Sequence, residues 1–108
     1  MITNRESGTR IDEVAADIYR INTPVRVEAL PGGFSFSQYL VVDEEPLLFH
    51  TGMRRMFPLV AEAVSKVVPV ERLRHLGLSH FEADECGALN QFLAVAPSAA
   101  PLRATSAQ

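Results

Sequence analysis

The chain has a single cysteine, Cys86, among its 108 residues. That excludes an intrachain disulfide and fits a reducing cytoplasm. No apolar run is long enough to span a membrane. The first ten residues, Met1 to Arg10, are polar and do not form the apolar core of a signal peptide. There is no basic excess: the net charge is -3 with mixed signs, which argues against nucleic acid as a main partner. No Gly-x-Ser-x-Gly elbow occurs. Pro31-Gly32-Gly33 is not followed by Lys-Ser/Thr or by a helix start, so it is not a phosphate loop. There are no internal repeats.

What is present is enough for one small domain. An apolar fraction of 47% supports a packed core. Residues 1–10 read as a flexible leader. Asp17 to Asn22 alternates apolar with polar and reads as a strand; Thr23-Pro24 interrupts it, and Val25 to Glu28 resumes it as an edge. Leu30 to Gly33 is a turn by composition. Ser35 to Asp43, rich in aromatic and β-branched residues, is a strand. After the Glu44-Glu45-Pro46 turn, Leu47 to His50 is a short buried strand, giving an antiparallel hairpin or meander.

Met53 to Val68 places Met56, Leu59, Val60, Ala63, Val64 and Val67 on one helical stripe. Pro58 moves the regular start to Met56 or Phe57, and Pro69 ends the helix. Val70 to Leu73 is a short turn, Arg74 to Ser79 a strand, and Glu85 to Val95 a short helix with Leu89, Phe92 and Leu93 inward. The order predicts an α+β fold, a mixed sheet with helices on one side. The domain spans residues 11–97. Residues 98–108, rich in Ala, Pro and Ser, read as a flexible tail.

Chemistry concentrates in Leu78-Ser79-His80-Phe81-Glu82-Ala83-Asp84-Glu85-Cys86-Gly87. His80, Glu82 and Asp84 are spaced i, i+2, i+4, and extended backbone sends all three to one side. An imidazole with two carboxylates suits Fe, Mn or Zn better than a soft thiolate site does. A strand end before a helix is also where sites commonly form. Ordinary roles are open to the same residues. Asp84 can cap the following helix, Glu82 and Glu85 can be solvated acids near its start, and His80 can be a hydrogen-bonded rim histidine. Cys86 reads as a small packed residue, and His75 as a surface or interface residue.

This stretch resembles the His-x-Glu-x-Asp motif of the metallo-β-lactamase superfamily. In particular, it resembles the flavodiiron branch, whose oxygen-binding domain has Glu at the second motif position. Tyr19-Arg20-Ile21 is similar to the family's first strand, Ser35 to Val42 to its Asn/Ser-Ser-Tyr-Leu strand, and Phe49-His50-Thr51-Gly52 stands where relatives carry Asp-Thr-Gly. The likeness covers residues 14–97.

The resemblance implies a partial αββα sandwich. It makes His80 and Glu82 ligands of one iron and Asp84 a ligand of the second. Glu85 stands where many relatives have a His ligand, and His50 replaces an Asp. No His follows His80 and no Asp follows Asp84, so the expectation is a truncated domain holding part of a non-haem di-iron site for oxygen or nitric oxide chemistry. A zinc hydrolase of the same fold and a non-catalytic self-associating domain are the alternatives. Expected partners are a redox partner in intact relatives and a second copy covering an open sheet face, with no nucleic acid and no membrane.

Overall fold

A computed structural model describes the backbone of residues 1–27, 30–78 and 87–103, and the side chains of these except 26, 27, 30–33 and 103. Among them, strands β1 (Ile2–Asn4), β2 (Thr9–Ala15), β3 (Ile18–Val27), β4 (Leu30–Val41), β5 (Leu47–Phe49), β6 (His75–Leu78) and β7 (Ala100–Arg103) form one sheet in chain order. Pairing is antiparallel from β1 to β5 and parallel from β5 through β7. The switch follows from the connections. The early strands are joined by short turns, whereas each parallel step carries a helix: α1 (Phe57–Ser65) before β6 and α2 (Leu89–Val95) before β7.

The register sorts the two faces. Leu40 pairs with Leu48, and Leu48 with Leu76; all three are fully buried. Val60, Ala63 and Val64 of α1 and Phe92 of α2 join them in one core cluster, so both helices lie on this face, as the sequence pattern predicts. The next row, one residue along each strand, points the other way. There Arg20 pairs with Tyr39, Tyr39 with Phe49, Phe49 with Gly77 and Gly77 with Leu102. Tyr39 remains 39% exposed and Leu102 54%.

Residues 1–10 are not the leader that composition predicts. They form β1, the turn and the start of β2. Gly8, with φ of 78°, makes the reversal. The buried Thr9 and Thr23 hydroxyls bond at 2.9 Å, and Ile11 carries the apolar anchoring at 3% exposure. The N-terminal amine bonds the Ile11 carbonyl and the Asp12 carboxylate. Hydrogen bonds from Arg10 and from that amine hold the Asp12 carboxyl well below the usual carboxylate range. Composition misses this hairpin because hydroxyls and end groups, more than apolar bulk, tie it down.

Two further differences share one cause. Thr23-Pro24 does not break β3, because β2 pairs only as far as Arg10 opposite Asn22, so Pro24 lies beyond the ladder on that side. Likewise Ala100–Arg103, expected to be loose, pairs with β6, and Pro101 sits on an edge strand where its missing N–H is tolerated. Leu30 to Gly33, expected as a turn, begins β4, opposite Val27. Helix α1 starts at Phe57 after a 3-10 turn at Arg54–Met56, with Pro58 in its first turn, as predicted.

Gly77 has little room toward its neighbour β5. A Cβ there would stand 2.7 Å from Phe49 Cδ1 and 3.3 Å from Leu47 Cδ1. Gly77→Ala is therefore expected to lose about 1–3 kcal/mol of stability through overpacking, read as a lower urea midpoint at unchanged slope.

Candidate metal centre

Strand β6 brings the chain to the motif. Leu76 and Leu78 are fully buried on it, and its parallel neighbour β5 ends beside it, so two carboxyl ends open onto one rim. Open sheets with parallel strands commonly bind ligands at that rim. The chain returns from the motif at Gly87-Ala88, where it is pinned. The Ala88 N–H donates to the Gly52 carbonyl at 3.0 Å and to Thr51 Oγ1 at 3.3 Å. The motif is thus bracketed by β6 on one side and by the turn after β5 on the other. His80, Glu82 and Asp84, with Glu85 and Cys86, lie outside the described residues. So does the expected helix start at Glu85, whereas α2 is present from Leu89.

The turn after β5 has an unusual backbone. His50 has φ of 68° and Gly52 φ of 80°. Gly52 suits the left-handed region; a histidine there carries a conformational cost. The His50 N–H donates to the Gly77 carbonyl at 2.8 Å, and its ring stacks on Phe49 with centroids 4.3 Å apart. Thr51 is fully buried, and its hydroxyl donates to the Gly52 carbonyl at 3.1 Å. This turn is therefore fixed by β6, by its own hydroxyl and by Ala88.

Below the turn lies a residue whose role the sequence reading missed. Gln38 sits on the inner face between Phe36 and Leu40, fully buried, and neither Nε2 nor Oε1 has a hydrogen-bond partner among the described residues. Its Nε2 is 3.2 Å from where a Cβ on Gly52 would stand. The signal was available: a polar residue at an inward position of an alternating strand is an anomaly.

The donors fit iron in kind. One imidazole and two carboxylates suit a hard or borderline divalent metal. The sequence offers His80, Glu82 and Asp84 as its candidate donors. Their number is small. Among the described residues no group of three or more His, Cys, Asp or Glu side chains converges. His75 stands at the opposite end of β6, 2.9 Å from a Glu45 carboxylate oxygen, and so cannot reach the rim. His50 is the described histidine at the right end of the sheet.

No family model and no curated protein sequence matches the chain. Solved structures do. A mutant flavo-di-iron protein from Thermotoga maritima is 25% identical with a TM-score of 0.71, over 81% of this chain and 24% of that one. The rubredoxin oxygen:oxidoreductase of Desulfovibrio gigas gives 19% and 0.73, over 82% and 24%. The chain has the metallo-β-lactamase-like fold of the flavodiiron proteins. A mutant metallo-β-lactamase from Cronobacter sakazakii also aligns, at 14% identity and a TM-score of 0.69, over 85% of this chain and 33% of that one. The chain spans about a quarter of the length of the flavodiiron proteins it matches. The resemblance first read from the His-x-Glu-x-Asp stretch therefore holds at the level of the fold, and the di-iron chemistry named for those proteins concerns their whole chains.

Proposed function

We propose that His80, Glu82 and Asp84 are this chain's share of a non-haem di-iron site of the flavodiiron type, acting on oxygen or nitric oxide. One observation carries the reading: in a chain with a flavodiiron-like fold, the His-x-Glu-x-Asp stretch follows in sequence directly on β6, whose carboxyl end lies beside that of β5. His80 and Glu82 would hold one iron and Asp84 the second; the remaining donors come from outside these 108 residues. Bound iron supplies reversible one-electron chemistry and an open position for a small oxidant.

The chain's own contribution is positional. The bonds from Ala88 to Gly52 and Thr51 fix the far end of the donor stretch. The His50 bond to Gly77 fixes the adjoining turn. Hydrogen bonds that hold the surroundings of a metal-ligand set in place commonly matter about 10–100-fold in metal affinity or activity. Reduction of oxygen to water consumes four electrons and four protons, so the complete protein needs an electron-donating partner. The Desulfovibrio gigas match is named for rubredoxin as well as oxygen. A cytoplasmic location belongs to the same reading and rests on the lone Cys86; among the described residues, no helix is long and apolar enough to cross a membrane. A zinc hydrolase is the weaker reading, since the hydrolase branches usually carry His where Glu82 stands.

Anaerobic addition of ferrous iron to the purified chain, followed by gel filtration and metal analysis, tests the proposal. Less than one iron per chain is expected to remain. The double variant His80→Ala, Glu82→Ala is expected to fall to background. Two firmly held irons per chain would contradict a shared site, and equal iron in the double variant would place the metal elsewhere.

Self-association is a second element of the proposal, favoured by the exposed Tyr39 and Leu102 on the sheet face opposite the described helices. A sedimentation coefficient that stays monomeric into the micromolar range would remove it.

A further inference from the structure

A cavity of about 650 Å³ opens between the β1–β2 turn and the Arg54–Met56 turn. Its size is within the range of sites that hold small organic molecules, roughly 300–1,000 Å³. Its walls are of two kinds. Met53, Met56 and Leu59 are among its apolar lining residues, Arg5 and Arg55 are its two cationic ones, and Glu6 is the one acidic one.

The arginines differ in company. Arg10 is held by the Asp12 carboxylate, and Arg20 donates to the Ser37 hydroxyl. Arg5 and Arg55 have no ion-pair or side-chain hydrogen-bond partner among the described residues. An exposed arginine without a partner is ordinary, and Arg54, Arg72 and Arg74 are others. What singles out Arg5 and Arg55 is convergence. Two segments far apart in sequence bring them to one cavity with apolar lining residues. With Glu6 counted, the lining keeps one net positive charge.

From this arrangement we propose that the cavity binds a small organic acid with an apolar body, its carboxylate against Arg5 and Arg55 and its body against the lining methionines. A planar carboxylate matches the fork of a guanidinium. Unbranched methionines adapt to a flexible chain or a ring. A bare inorganic anion leaves the apolar lining unused, and a neutral apolar molecule leaves both guanidiniums without a partner. The proposal is independent of the metal reading, because none of its residues is a proposed ligand.

The test uses the full chain with labelled methionine methyls, titrated with octanoate, octanol and acetate. Octanoate, kept below its micelle-forming concentration, is expected to give saturable shifts at Met53 and Met56. Octanol and acetate are expected to bind at least about ten-fold more weakly, since each keeps only half of the recognition. Arg5→Ala and Arg55→Ala are each expected to weaken octanoate about ten-fold, the scale of one charge-assisted hydrogen bond. Both side chains are exposed, so melting temperatures should stay near the parent's and report that the variants fold. The proposal is overturned if octanol binds as well as octanoate. It is equally overturned if octanoate gives no saturable shift, or if the double arginine variant binds octanoate unchanged.

Discussion

Phe92→Ala is expected to be the most damaging single core change, costing about 3–5 kcal/mol. Phe92 is fully buried and is the one buried side chain of the seven-residue helix α2. Its ring meets Phe57 of α1 edge-on, with centroids 5.0 Å apart and planes at 76°. Such a pair adds about 0.5–1.5 kcal/mol beyond burial. A helix of seven residues has little stability of its own, so this one ring decides whether α2 stays docked. A domain of this size has only about 5–15 kcal/mol in total. The loss should therefore bring unfolding close to working temperature.

The functional consequence follows from the chain path. Ala88, directly before α2, pins the far end of the donor stretch to Gly52 and Thr51. Undocking α2 frees that end, so iron retention should fall together with stability. Urea denaturation of Phe92→Ala checks the first half. A loss below about 1 kcal/mol would mean that α2 is held by something other than this contact.

Gln38→Met is expected to act in the opposite direction, raising stability by about 1–3 kcal/mol. Among the described residues the buried amide has a partner for neither Nε2 nor Oε1, and an unpaired buried polar group carries a desolvation cost of that order. Methionine keeps the length and flexibility of the side chain without the amide. The position is not arbitrary. Gln38 lies directly beneath Gly52, the residue whose carbonyl receives the Ala88 N–H. Polar groups kept in a core at a cost in stability tend to mark functional positions. If Gln38→Met proves more stable but retains less iron, the amide serves the rim. If it proves less stable, the amide has a partner that the apolar side chain cannot replace, and the cost assigned to it is wrong.

Much of the fold was legible because its core obeys simple periods. Leu40, Leu48 and Leu76 sit on alternating or continuous apolar strands, and Val60, Ala63 and Val64 recur at helical spacing, so strands, helices and their common face could be read directly. The edges were not legible. Residues 1–10 are held by Thr9, Thr23, Gly8 and the terminal amine, groups that composition scores as loop-forming. Ala100–Arg103 pairs because β6 offers a parallel edge, a tertiary opportunity that no local signal announces. Pro24 was read as a break because local rules count its missing N–H without knowing where β2 stops.

The site divides the same way. The donor stretch was conspicuous, since four metal-competent side chains crowd into positions 80–85. Its anchoring was not, because the bonds from Ala88 to Gly52 and Thr51 join residues 36 and 37 apart. His75 shows the value of knowing the path. By residue type it is as good a ligand as His80, but β6 puts it at the wrong end of the sheet and beside Glu45.

Metal is proposed to enter at the carboxyl rim of β5 and β6 through His80, Glu82 and Asp84. The most direct measurement is amide line broadening on addition of Mn(II), a paramagnetic stand-in for ferrous iron. Broadening centred on Gly52, Leu78, Gly87 and Ala88, and absent in the His80→Ala, Glu82→Ala variant, is the predicted result. Broadening centred on His75 and Glu45, or spread evenly over the chain, would contradict it.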